Sequence, residues 1–265
     1  MSLQGLAKNK FDITTSIVLY KEDLNELSRT IDCFLKTPLK KKLFLIDNTP
    51  TKEFEGVFNH KEIEYIPVGK NIGFGPGHNL VLSRIKNQSN YHLILNPDVS
   101  FNTSVIPNLM AKLYRHEVVS MIAPKVLFPN GEFQNSCRRY PKIIELLARR
   151  FTFLAPLVLA TLRKGNYIDI NLETSFFADY ITGCFHLYKT DDFVELNGFD
   201  ERYFLYMEDV DICRKIEKLD KKKLYYPKEE ITHVLKQGSL KQKKLFLTHI
   251  YSAIKYFMKW GFKLT

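Results

Sequence analysis

Three carboxylates fall within four residues in Tyr206-Met207-Glu208-Asp209-Val210-Asp211, directly after the aromatic run Tyr203-Phe204-Leu205-Tyr206. The pattern predicts a helix beginning near Glu208, and acids in a first turn complement the helix dipole. That accounts for one or two of them. Three together repel one another, which raises their pKa values while the dipole lowers them, so a general base could be poised there. A second group, Asn96-Pro97-Asp98, follows the apolar run Leu93-Ile94-Leu95. A carboxylate at a strand end can hold a hard divalent cation and leave positions for phosphate oxygens; the same tripeptide also reads as an ordinary turn. The loop Lys70 to Asn79 carries Gly73, Gly75 and Gly77 at G-x-G-x-G spacing, which matches neither a dinucleotide fingerprint nor a P-loop. Its glycines would either let backbone approach a ligand, with Lys70 neutralising a diphosphate, or form a mobile surface turn. His233, in apolar Ile231-Thr232-His233-Val234, reads as a packed core histidine before it reads as a metal ligand.

These residues need a scaffold, and the hydrophobic pattern supplies one. Asp12 to Tyr20 is β-branched and apolar, and Leu24, Leu27, Ile31, Phe34 and Leu35 follow at helical spacing. Further short apolar runs at Leu43 to Asp47, Ile63 to Val68 and from Tyr91 suit strands buried on both faces. A helix is expected after the glycine loop, through Arg84. Ser120 to Phe128, a turn at Pro129-Asn130-Gly131 and the basic Arg138-Arg139-Tyr140-Pro141 suggest strand, turn and strand, and Phe177 to Lys189 again reads as sheet. Helices are predicted from about Thr190 to Gly198, Glu208 to Lys218 and Lys241 to Lys259. Alternating strands and helices argue for an open, mostly parallel, Rossmann-like α/β sheet with helices on both faces and ligands at the strands' carboxyl ends. No linker divides the chain, which is read as a single domain over 1–265. Within it, about 12–100 forms one half, about 101–235 a second, and about 240–265 a basic amphipathic helix.

Composition narrows the function. The 265 residues are 45% hydrophobic and 26% charged, as in ordinary globular proteins. The net charge of +10 sits mostly at the C-terminal end, where residues 231–265 hold seven lysines and no acid. No zinc-finger, RNP or basic-zipper pattern accompanies it, so a nucleic-acid partner is not expected. The four cysteines lack ligand spacing and read as buried free thiols. MSLQGLAKNK has no apolar export segment, which predicts a cytoplasmic protein. The apolar run Phe151 to Leu162, bracketed by basic pairs, is too short to cross a bilayer. The C-terminal helix, with Leu247, Ile250, Ile254, Phe257 and Met258 near one face, could dock on the domain or lie on an anionic membrane.

Taken in order, SIVLYKEDLNEL, LFLIDN, NIGFGPGHN, LILNPDV, APKVLFPNGEFQNSCRRYP, ITGCFHLYK and NGFDERYFLYMEDVDICRKI resemble the inverting glycosyltransferases of family 2, in particular the rhamnosyltransferase-like group. The resemblance runs from about Ser16 to Lys215. It implies a glycosyltransferase A-type fold with a nucleotide-sugar-binding half and an acceptor-binding half. It places the nucleotide against Leu19, Tyr20 and Glu22 and its base against Asp47, which would favour uracil or thymine. Lys70, Asn71, Gly73 and Asn79 match the loop around the donor. Asn96-Pro97-Asp98 stands where the family has Asp-x-Asp, with Asn96 in place of the first acid; Asp98 and His233 are the implied contacts for Mg²⁺ or Mn²⁺. Asp209 matches the catalytic base, beside Glu208 for acceptor positioning. The expected reaction moves a sugar, rhamnose first, from a dTDP- or UDP-sugar to a glycan or lipid-linked acceptor of bacterial surface polysaccharide, at the inner face of the plasma membrane. Two other readings stay open: a nucleotidyltransferase, and a catalytically silent glycan- or membrane-binding module.

Overall fold

Strand β1 (Phe11–Leu19) and strand β2 (Lys41–Asp47) are buried on both faces because helices cover both sides of the sheet they enter. The computed structural model describes residues 10–150, 156, 158–235 and 243–262. Between the two strands runs α1 (Leu24–Leu35), whose first turn is capped by the Asp23 carboxylate, accepting from the Asn25 and Glu26 amides. Then come β3 (Ile63–Pro67), α2 (Phe74–Asn79), α3 (Leu82–Ile85), β4 (Ser89–Leu95), β5 (Val99–Phe101), α4 (Val105–Tyr114), β6 (Val119–Leu127) and β7 (Cys137–Arg138). The remainder is α5 (Ile143–Arg150), α6 (Leu159–Gly165), β8 (Phe176–Phe177), β9 (Tyr180–Ile181), β10 (Phe185–Lys189), α7 (Thr190–Glu195), α8 (Glu208–Glu217), β11 (Lys222–His233) and α9 (Lys243–Trp260).

The main sheet has strand order β3-β2-β1-β4-β10-β6-β11-β5, with β8 beside β11. Its first four strands are parallel; β10 enters antiparallel between β4 and β6, and β11 lies parallel to β6. Most strands therefore share one direction, as the alternating pattern predicts. One face packs on Leu27, Ile31 and Phe34 of α1 and Ile106, Leu109 and Leu113 of α4. The other packs on Val81, Ile85, Phe193, Val210, Ile212 and Tyr256. Among the described residues no helix is long and apolar enough to cross a membrane. Half of the apolar run from Phe151 to Leu162 lies outside the described residues; its end forms part of α6.

Two elements differ from the sequence reading. β11, at 12 residues, is absent from it, because Lys222, Lys223, Pro227, Lys228, Glu229 and Glu230 break the apolar pattern. The strand accommodates them by a register shift between Tyr226 and Glu230, where Pro227 falls, and by burying Lys223 against the Tyr140 hydroxyl and the Glu217 carboxylate. The hairpin expected after β6 reduces to one bridge between Leu127 and Phe133; β7 pairs with β9 instead. All four cysteines are free, three of them buried.

Candidate active site

The carboxyl ends of β1, β2 and β4 lie side by side and bring Leu19, Asp47 and Asn96 to one edge of the sheet, where open α/β sheets take ligands. Asp47 is fully buried. Its Oδ1 accepts the Thr49 amide at 2.8 Å and its Oδ2 accepts the Tyr65 hydroxyl at 2.5 Å. Burial, and then the Asp47 carboxylate, raise the Tyr65 pKa, so the hydroxyl stays a donor. Tyr20 is exposed, Glu22 is half-buried and Lys70 is exposed.

The glycine loop is a packing device. Asn48 Nδ2 donates to the Gly73 carbonyl at 2.9 Å, the Gly73 amide donates to Asn71 Oδ1 at 3.0 Å, and the Phe74 amide donates to the Phe204 carbonyl at 3.0 Å. Gly73 has φ +100°, and a Cβ there would lie 2.3 Å from the Phe204 oxygen. Added Cβ atoms at Gly75 and Gly77 would meet Phe199 at 2.8 Å and Val18 at 2.7 Å. The segment is thus no mobile turn, and its glycines seat it on residues 199–204 and on β1. Asn79 belongs to the same joint: its Nδ2 donates to the Phe199 carbonyl at 2.8 Å and to Glu201 at 3.1 Å, and its Oδ1 accepts the Phe199 amide at 2.9 Å. Gly73 and Asn79, assigned to the donor loop by resemblance, are engaged in this joint.

At the end of β4, Asp98 and His233 meet, brought together by the pairing of β5 with β11. His233 Nε2 lies 3.4 Å from Asp98 Oδ1 and 3.3 Å from Asn96 Nδ2. On the other side of the ring, Nδ1 is 2.7 Å from Gln134 Oε1, and Gln134 Nε2 donates to the His233 carbonyl at 3.3 Å. Both amides assign one tautomer, with the proton on Nδ1 and a lone pair on Nε2. That is how ligating histidines are held. Asp98 Oδ1 is buried without a hydrogen-bond partner among the described residues. An orphaned carboxylate oxygen beside an imidazole lone pair fits a divalent cation that takes its other ligands from phosphate and water. Among the described residues no group of three or more His, Cys, Asp and Glu converges on a metal position.

The three acids of α8 divide by partner. Asp211, fully buried, accepts Lys259 Nζ at 2.7 and 2.9 Å, Trp260 Nε1 at 2.7 Å and the Tyr203 hydroxyl at 3.2 Å. It anchors α9. Glu208 and Asp209 instead line a cavity of about 210 Å³ together with Arg138, Tyr180, Tyr206 and His249. Tyr206 and Met207, which lead into α8, have φ of +68° and +69°, a left-handed pair that costs conformational energy at non-glycine positions. Asp209 Oδ1 accepts the Val210 amide at 2.8 Å and its Oδ2 accepts the Gly183 amide at 3.3 Å. Burial raises the Asp209 pKa while these amides and the Arg138 charge oppose the rise. Glu208 Oε2 is buried without a hydrogen-bond partner among the described residues. Burial, then the Asp209 charge, hold the Glu208 carboxyl well above the usual range. Two adjacent acids are therefore pushed apart, with Asp209 the one favoured as the anion.

The two carboxylate groups share one support. Gly183 donates to Asp209, and the next residue, Cys184, accepts the Asn96 amide at 2.9 Å. Burial, with added repulsion from Asp98 and Asp209, pushes the Cys184 thiol up to about 12. Arg138 is a cavity residue to which the sequence reading gave no role. Its neighbour Arg139 is engaged bidentately with Asp169 at 2.8 Å, whereas Arg138 Nε is buried with no hydrogen-bond partner among the described residues.

No family model matches the chain. It is 26% identical over 197 residues to the N-acetylglucosaminyl-diphospho-decaprenol L-rhamnosyltransferase of Mycobacterium tuberculosis, an alignment covering 71% of this chain and 62% of that protein. It is 25% identical over 228 residues to the rhamnosyltransferase WbbL of Escherichia coli K12, covering 81% of each. Among solved structures it is similar to GalNAc-T7, crystallised with UDP, GalNAc and Mn²⁺, at a TM-score of 0.65 and 15% identity over 85% of this chain and 43% of that one. The chain is thus similar in sequence to rhamnosyltransferases and is built on the glycosyltransferase A-type fold that the motif resemblance implies.

Proposed function

We propose that the chain is an inverting glycosyltransferase that moves rhamnose or a related hexose from a dTDP- or UDP-sugar to a hydroxyl of a glycan or lipid-linked acceptor, at the inner face of the membrane where surface polysaccharide is built. The names of its relatives support the sugar and the acceptor class. The observation that carries the chemistry is the shared support: consecutive residues Gly183 and Cys184 hold Asp209 and Asn96, which places an acid on a cavity wall beside the strand end bearing Asp98.

In this reading the nucleotide lies across the ends of β1 and β2. The base meets Asp47, whose two engaged oxygens keep further lone pairs for the N3 hydrogen of uracil or thymine. Lys70 lies beside the diphosphate. Asp98 and His233 would hold Mg²⁺ or Mn²⁺, which supplies positive charge to the departing diphosphate. Asp209 removes the acceptor's proton as its oxygen attacks the anomeric carbon from the face opposite the leaving group; a single displacement inverts that carbon. Glu208, kept protonated, donates a hydrogen bond to the acceptor and leaves the negative charge to Asp209.

The test is Asp209→Asn with dTDP-rhamnose, other dTDP- and UDP-sugars, and a lipid-linked acceptor. Turnover is expected to fall by about 10²- to 10⁴-fold, the range for losing a positioned base. The wild-type rate should rise with pH along an acid limb above the ordinary carboxylate range, because burial raises the Asp209 pKa. Nucleoside diphosphate is the expected product. Release of pyrophosphate would show a nucleotidyltransferase instead, and unchanged turnover in the variant would reject this base.

A further inference from the structure

Helix α9 has two unlike faces. The inner face is held to the body: Ser252 donates to the Leu205 carbonyl at 2.8 Å, Arg214 donates to the Tyr256 hydroxyl at 2.6 Å, and Lys259 is paired with Asp200 and Asp211. The outer face carries Leu247, Ile250, Tyr251, Ile254 and Met258. Their spacing of three and four residues draws one stripe along the helix. All five are exposed, Leu247 by 64% and Met258 by 71%. A helix docked on a water-soluble body normally turns its polar side outward, and this one turns an apolar side outward along nearly its whole length. Lys243 and Lys244 are exposed where the helix begins, and no acid occurs anywhere in it.

We propose that the outer face of α9 is a membrane-contact surface. It lies in the plane of an anionic bilayer, with the apolar stripe entering the boundary between headgroups and acyl chains and the lysines meeting lipid phosphates. The charge pattern selects this occupant. A second copy of the chain would set two cationic, acid-free strips against each other, whereas an anionic lipid surface complements them. The inference deepens the reading of a membrane-bound acceptor by giving the surface and the orientation. The inner face of α9 supplies His249 to the cavity and sets it against Tyr206, with the rings tilted and their centroids 4.8 Å apart, so a bilayer under the outer face lies one helix away from Glu208 and Asp209.

The experiment is co-sedimentation of the full chain with vesicles of phosphatidylglycerol and phosphatidylcholine, and with phosphatidylcholine alone. The wild type should bind the anionic vesicles and lose binding in high salt. Leu247→Ser combined with Ile254→Ser should weaken binding at least tenfold, and Lys243→Glu with Lys244→Glu by about fivefold per lysine. Because these side chains are exposed, unfolding temperatures should not change. Asp209→Asn should bind vesicles like the wild type, which separates this proposal from the catalytic one. No binding at low salt, or equal binding by the Leu247/Ile254 variant, would overturn the proposal. So would a dimer in solution that those same two substitutions dissociate, since the face would then belong to a second copy.

Discussion

Gly73 shows how much a single position can hold. Its φ of +100° and the 2.3 Å approach of an added Cβ to the Phe204 carbonyl leave no room for a side chain, and the blocking atom is backbone. Gly73→Ala should cost about 2–4 kcal/mol from strain and displaced backbone, measured by urea unfolding. It should also lower turnover, since Phe204 is four residues before Glu208. The neighbouring carboxylates mark the boundary of what local sequence can say. Asp98 and Asp209 are legible because each stands in a short motif at the end or start of an element. That Asp211 is structural is decided by Lys259 and Trp260, nearly fifty residues later. Gln134, which orients His233, is remote in sequence from both His233 and Asp98. Arg138 sits in a basic run with nothing local to distinguish it from Arg139.

At the level of elements, α9 depends on one buried carboxylate. Asp211 accepts from Lys259, Trp260 and Tyr203, and replacing it leaves the Lys259 ammonium with Asp200 alone. Asp211→Ala should cost about 3–5 kcal/mol, as for breaking a buried pair. Hydrogen exchange should locate the loss in α8 and α9, with the amides of β1, β2 and β4 still protected. The parallel strands of the first hundred residues are legible because double-sided burial writes continuous apolar runs. β11 is not, because its lysines and glutamates are satisfied one at a time by tertiary partners such as Glu217 and Tyr140. The C-terminal helix is legible as a helix, and of the apolar face that could dock or meet a membrane only Phe257 turns inward, while Leu247, Ile250, Ile254 and Met258 face outward.

At the scale of the whole molecule, a chain of buried polar groups runs along the seam between β1 and β4 and ends at α2: Ser89 to Thr14 at 2.7 Å, Thr14 to His92 at 2.9 Å, His92 to Ser16 at 3.0 Å and Ser16 to His78 at 2.8 Å. Burial lowers His92 to about 3 and His186 to about 4, and drives His78 well below its usual value. These folded-state values lie below the unfolded value near 6.5, so the unfolded chain binds protons first. Each histidine contributes stability that is complete above about pH 6.5 and is lost as pH falls toward 4, by about 1.4 kcal/mol per pH unit. Glu208 and Asp209, whose pKa values burial raises, act in the opposite sense. Urea midpoints should therefore fall steeply between pH 6.5 and 4.5, and replacing His92 with Asn should flatten the slope. The strand order has a consequence in time. Leu95 of β4 pairs with Phe185 of β10, and β6 has both neighbours, β10 and β11, still to come. During synthesis the parallel N-terminal strands leave the ribosome with the β4 edge bare until roughly 90 more residues are made, about 5–20 s. An open edge is a template for pairing with another chain. The nascent protein is thus most exposed to misassembly in that interval, and to whichever chaperone first reaches β4.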